Sequence, residues 1–94
     1  MLRFEIAFGK AYGALAVGFG SRWLETASLE RPHFIAGLTA VSGGRVVPVP
    51  GGVLIRNQGG EVIGAVGITG DTSDNDEAVA VAAVEANDLR AQFD

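Results

Sequence analysis

The chain has 94 residues, 48% of them hydrophobic and 19% charged, with 14 glycines and 3 prolines, which describes one small globular domain over residues 1–94 with room for a single core. The absence of cysteine excludes disulfides, thiolate metal sites and cysteine nucleophiles, and it suits a reducing compartment, so cytoplasm is the expected location, with export through a signal-like stretch kept as a minor alternative. The net charge is −4, and the acidic excess is concentrated in residues 57–94, which argues against the clustered Lys and Arg of a nucleic-acid surface.

The first apolar pattern is helical. Phe4, Ala7, Phe8, Ala11 and Leu15 recur at three- and four-residue spacing, predicting an amphipathic helix from 4 to 17 whose apolar face packs on the core. Interleaved with them are Gly9, Gly13, Ala14 and Ala16, which cost helix propensity and make sense where a helix lies closely against a sheet or another helix. Lys10 and Tyr12 sit in this helix, Lys10 read most simply as solvated and Tyr12 as a core-edge aromatic. Gly18 and Gly20 end the helix. The uncharged apolar run 11–20 is far too short to cross a bilayer, so no membrane partner is expected.

Ser21 is a candidate cap for a second helix, 22–29, which the Arg31-Pro32 pair ends because the residue before proline avoids the α conformation. Pro32 then suits the first position of a third helix running to residue 40, and Ser42-Gly43-Gly44 reads as a turn. His33 is the only histidine, so neither a two-histidine catalytic arrangement nor a multi-histidine metal centre fits within one chain. Alone it is a surface residue at a helix start or an axial iron ligand. Trp23, Phe19 and Phe34 surround the glycine-rich break, either as core packing or as the lining of an apolar pocket.

Val46, Val47, Val49, Val53, Leu54 and Ile55, followed after Gln58-Gly59-Gly60 by a second β-like run at 61–69, predict a β-hairpin. Pro48 and Pro50 cannot donate to a ladder, so the stretch before Gly51-Gly52 is expected as an edge strand or an extended loop. The second strand is apolar or small on both parities, so both faces should be covered. Ser73 followed by Asp76 has the spacing of a capping box for a last helix over 78–86, and the acidic run around them fails the spacing of a calcium loop. The glycines at 64, 67 and 70 do not match the dinucleotide-binding fingerprint.

The segments Pro48-Val49-Pro50-Gly51-Gly52-Val53-Leu54-Ile55, Gly60-Glu61-Val62-Ile63-Gly64-Ala65-Val66-Gly67-Ile68-Thr69-Gly70-Asp71 and Asp76-Glu77-Ala78 closely resemble the GlcG/HbpS family of small bacterial haem-binding or haem-degrading proteins. The family is also similar to the C-terminal domain of PduO-type adenosyltransferases. The helix beginning Glu5-Ile6-Ala7-Phe8-Gly9-Lys10 looks like the family's central helix.

The resemblance implies an α/β (α+β), profilin-like fold, in which a small antiparallel sheet with a β-hairpin is backed by helices. Members usually begin with a helix and a hairpin that this chain lacks, so it is expected to be truncated, naturally short, or completed by a partner chain. Haem is the implied cofactor, in an apolar cleft expected between the first helix and the hairpin. The ligand-binding candidates are Tyr12, His33, Gly51, Gly52, Gly70 and Asp76, with His33 as the candidate iron ligand; Gly64 and Gly67 are further shapers of the fold.

Two functions are weighed: a haem- or tetrapyrrole-binding accessory protein, and an enzyme or enzyme-accessory subunit acting on a small hydroxy acid or diol. For the enzyme, Glu5, Lys10, Asp71 and Asp76 are the acid–base candidates. An unpaired sheet edge and exposed hydrocarbon also predict a homo-oligomer whose interface uses the first helix and 46–55.

Overall fold

The computed structural model describes residues 2–94. Four helices and three strands follow in the order α1 (Arg3–Val17), α2 (Ser21–Glu30), α3 (Pro32–Val41), β1 (Gly52–Arg56), β2 (Val62–Gly67), α4 (Ser73–Glu85) and β3 (Arg90–Gln92). The strands form one antiparallel sheet in the order β2-β1-β3, so β1 is central. This is the mixed α/β architecture expected from the sequence, with one strand more than the hairpin.

The β1–β2 register pairs Gly52 with Gly67, Val53 with Val66 and Leu54 with Ala65, and a bulge lies between Ile55 and Arg56. Side chains alternate across a sheet, so Val53, Ile55 and Val66 point to one face and Gly52, Leu54, Ala65 and Gly67 to the other. The first set packs with Ala80 and Val84 of α4, joined by Leu89 and Ala91. The second face lies directly under α1. A Cβ on Gly67 would collide with the carbonyl oxygen of Ala7, and one on Gly52 with that of Lys10. Both sheet faces are thus covered over β1 and the Ala65–Gly67 end of β2, whereas Val62 and Ile63 at the other end of β2 remain exposed, so the coverage expected for both parities of β2 is only partial.

The small residues of α1 serve this close approach, and the helix is turned accordingly. Its buried positions are Gly9, Lys10, Gly13 and Ala14, whereas Phe4 is 76% exposed, Phe8 48% and Leu15 53%. The large members of the apolar stripe expected to face the core therefore point outward, while its alanines stay at the interface, because the backbone of Ala7, Lys10 and Ala11 sits against a glycine seam, Gly67 and Gly52, where phenylalanines would hold the helix off. Gly18, with φ at +78°, ends α1 in the left-handed conformation and donates its N–H to Ala14.

A second apolar cluster joins Leu24 and Ala27 of α2, Ile35 of α3 and Val46, with Tyr12, Trp23 and Leu38 packed against it. Pro32 occupies the start of α3, as its fixed φ favours. Ser21 does not cap α2. Gly20 holds that position, and the buried Ser21 hydroxyl instead accepts the Gly52 N–H at 2.8 Å, tying α2 to the start of β1. The segment 46–50, with its two prolines, lies outside the sheet and bends at Val49 and Pro50, where the Val49 N–H donates to the Val47 carbonyl at 3.0 Å.

Candidate functional site

Lys10, read from sequence as solvated, is 1% exposed. Its Nζ donates to the Ile68 carbonyl at 2.9 Å and to Asp76 Oδ2 at 3.2 Å, joining α1 to the end of β2 and the first turn of α4. The other oxygen of Asp76 accepts the Asp71 N–H at 3.0 Å, so both carboxylate oxygens are engaged. Gly51 lies against this ammonium with φ at +124°, a backbone shape that favours glycine, and a side chain there would meet Lys10 Nζ and the Ile68 carbonyl. Gly51, Gly52 and Asp76 are thereby brought together around Lys10, in a closed polar knot.

The capping box expected from Ser73 and Asp76 shifts by one residue. Thr72 is the cap of α4, its hydroxyl accepting the Asn75 N–H at 3.2 Å, which leaves Asp76 a turn inside the helix and pointed at Lys10. Beside it, Arg22 of α2 donates from Nε to both oxygens of Glu77, at 2.9 and 3.1 Å, and also pairs with Asp74. These hydrogen bonds raise the Arg22 pKa above its already high ordinary value, so the guanidinium is charged at every working pH. The acidic run is therefore an anionic edge on which the cations of α1 and α2 dock. Its partners lie more than fifty residues away in sequence, which is why no local motif signals them.

The cleft expected between α1 and the hairpin is absent, because Gly52 and Gly67 bring those surfaces into direct contact. The larger groove opens on the other flank of α1. About 340 Å³ in volume, it lies between the first turns of the helix and the segment 44–47, with Leu2, Phe4, Ile6, Phe8 and Val47 as its apolar walls and Glu5 and Arg45 as its charged lining. Gly9 makes the overhang possible, since its bare Cα lies against Val47 and the Arg45 carbonyl. Phe4 stacks on Phe8 with centroids 6.3 Å apart, and Phe8 lies 5.9 Å from Tyr12.

The Arg45 guanidinium sits 5.8 Å from the Tyr12 ring and donates to the Ser42 carbonyl at 3.1 Å. Five donors are available on a guanidinium, so most of its hydrogen-bonding capacity is left for another group. A smaller groove of about 220 Å³ runs between α4 and the sheet beside Ile55, Val66 and Leu89.

The structure disperses the other candidates. Tyr12 does not line the larger groove but touches two residues that do, Phe8 and Arg45. His33 is exposed at the start of α3, and Gly70 lies in the loop before α4; neither lines a groove. Trp23 stacks on Phe19 at 4.8 Å and meets Phe34 edge-on at 6.3 Å, with Arg31 over both the Trp23 and Phe34 rings. Sequence reasoning missed Arg45, whose only signal is its place immediately after the Gly43-Gly44 turn.

A family model for the haem-degrading HbpS-like proteins matches residues 1–85. The chain belongs to the HbpS-like family. It is also similar to the protein in a crystal structure of a PduOC–haem complex, with 29% identity and a TM-score of 0.77, over 92% of this chain and 61% of that one. This HbpS-like chain thus spans about three-fifths of the length of that solved protein. No curated protein matches it.

Proposed function

We propose that this HbpS-like chain binds haem or a related tetrapyrrole in the groove between α1 and the segment 44–47, as an accessory protein rather than as an enzyme with its own acid–base centre. The observation that carries the reading is the aromatic wall Phe4–Phe8, with Tyr12 in contact behind it, facing a guanidinium with donors to spare. A flat, largely apolar ring with carboxylate arms matches that chemistry: phenyl faces take the ring and Arg45 takes a carboxylate in a bidentate pair. The family match and the haem-bound relative support the same ligand.

When bound, haem would supply a redox-active iron, and the chain would supply an apolar bed, a counter-charge and an oxygen or nitrogen ligand. Tyr12, which touches Phe8 and Arg45 of the groove lining, is better placed for that last role than His33.

The enzyme reading has less support, since of its four acid–base candidates only Glu5 lines a groove, Lys10, Asp71 and Asp76 line neither, and Lys10 and Asp76 are consumed by each other. Haemin titration is the test. Saturable binding with a Soret shift is expected, weakened roughly 10- to 100-fold by Arg45→Glu through loss of a charge-assisted pair. A changed spectrum is expected for Tyr12→Phe and an unchanged one for His33→Ala. Adsorption no stronger than that to an unrelated protein overturns the proposal, and a His33→Ala change without a Tyr12→Phe change overturns the ligand assignment.

A homo-oligomer, or completion by a partner chain, belongs to the same proposal, as does a cytoplasmic setting. Leu2, Phe4 and Leu15 leave an apolar face on α1 uncovered, whereas much of 46–55 is buried within the chain, which leaves α1 as the contributing surface. Among the described residues no helix is long and apolar enough to cross a membrane. Light scattering behind a sizing column distinguishes assemblies from a 9.7 kDa monomer, and a cooperative monomer at micromolar concentration rejects the oligomer.

A further inference from the structure

The family match ends at residue 85, where α4 ends, yet the chain continues into a strand. Asp88 takes the left-handed conformation, φ 58°, which aspartate tolerates better than most residues, and it turns the chain back toward the sheet. β3 then pairs antiparallel with the central strand, Leu54 opposite Gln92, Ile55 opposite Ala91 and Arg56 opposite Arg90.

Side chains and loop ends reinforce this short ladder. Arg56 Nε donates to Gln92 Oε1 at 2.8 Å, the Gln58 amide donates to the Asp88 carbonyl, and the Gly20 N–H donates to the Asp94 carbonyl at 3.1 Å. Gly20 is a receptor for the segment: a Cβ there would overlap the Phe93 backbone. Leu89 and Ala91 complete the cluster over Val53, Ala80 and Val84.

Without β3, the central strand would present its unpaired groups along Leu54–Arg56, beside a fully buried Leu54 and an apolar patch at Ile55, the kind of edge that templates pairing with another chain. β3 itself ends the sheet with three residues and an exposed Arg90, a poor template for further strands. We propose that residues 86–94 are a built-in strand plug, occupying a strand-accepting slot on β1 and keeping that slot from pairing with a second copy of this chain. The device is independent of the haem groove, since none of its residues lines that groove. It is also distinct from association through α1.

The test uses the full-length chain with Ala91→Pro and Gln92→Pro together, which removes backbone donors on both parities of β3 and the side-chain amide that meets Arg56. The folded variant is expected to bind a fluorescein-labelled peptide of residues 86–94 saturably, at least tenfold more tightly than the intact chain does, and to reject the same peptide carrying the two prolines. Its assembly by light scattering is expected to be larger than that of the parent, and excess unlabelled peptide should reverse the increase. A folded variant that neither binds the peptide nor changes assembly overturns the proposal.

Hydrogen exchange on the unsubstituted chain provides the decision if the variant does not fold. Amides of the β1–β3 ladder should exchange at least tenfold faster than those of the Val53–Val66 ladder, because a plug opens locally while the sheet stays intact. Equal protection of the two ladders would make β3 an inseparable part of the fold and overturn the idea.

Discussion

Replacing Lys10 by methionine removes the ammonium while keeping an unbranched side chain of similar length in a site that is 1% exposed. Asp76 would then remain buried with a carboxylate oxygen that has lost its 3.2 Å partner. Breaking one half of a buried ion pair typically costs about 3–5 kcal/mol, because the remaining charge has neither water nor a counter-ion. Against a total stability of about 5–15 kcal/mol for a small domain, that is a large fraction of the margin.

At about 4–8 °C per kcal/mol for a chain of this size, a loss of about 4 kcal/mol lowers Tm by roughly 16–32 °C. The double variant Lys10→Met/Asp76→Asn removes both charges and keeps an oxygen for the Asp71 N–H, so it should be more stable than Lys10→Met alone, with a coupling of about 1–3 kcal/mol. Urea unfolding followed through Trp23, the only tryptophan, measures all four corners of the cycle. A loss below about 1 kcal/mol for Lys10→Met, or additive single effects, would refute the reasoning that this pair is a desolvated lock.

Three further changes separate contact from conformation. Gly67→Ala should destabilise by about 1–3 kcal/mol or more, since its Cβ meets the Ala7 backbone, while Gly64→Ala, which meets open space, should stay within about 0.5 kcal/mol; similar urea midpoints for the two would contradict the glycine seam. Thr72→Ala should cost about 1 kcal/mol by removing the α4 cap, with Ser73→Ala nearly silent, and the reverse order would restore Ser73 as the cap. Arg22→Met should cost more stability than Asp74→Ala, because Glu77 is nearly buried while Asp74 is open to solvent; chemical denaturation with equal losses would reject that ranking.

Much of the architecture was legible because it rests on local chemistry. Pro32 starts α3, Gly18 ends α1, the Gly43-Gly44 turn has positive φ at both residues, and Pro48 and Pro50 exclude their segment from the ladder. β3 escaped notice because Arg90-Ala91-Gln92 has neither β-branched residues nor apolar alternation. Its strand character comes from the Leu54–Arg56 edge across the fold, and tertiary context overrides weak local preference.

The larger misreading concerned α1, and it explains why the candidate site moved. Periodicity identifies the two faces of a helix but not the spacing to the neighbour, and here spacing decides. With Gly67 and Gly52 on the sheet, the backbone of Ala7, Lys10 and Ala11 approaches closely enough to leave no room for a phenylalanine, and Gly9 and Gly13 allow the same close approach to Val47, the Arg45 carbonyl and Leu24, so the side with the smaller residues is buried. Lys10 shares that side, and its charge is tolerable there because Asp76 and the Ile68 carbonyl arrive from sequence positions 66 and 58 residues away.

Turning this face inward necessarily turns Phe4, Phe8 and Leu15 outward. The same glycine seam that consumes the expected cleft therefore creates the aromatic wall of the groove at Arg45. A substitution such as Gly67→Ala should then weaken haemin binding as well as stability, by displacing α1 from the segment it overhangs. Gly67→Ala protein that is still folded and binds haemin with unchanged affinity would show that the groove does not depend on the seam.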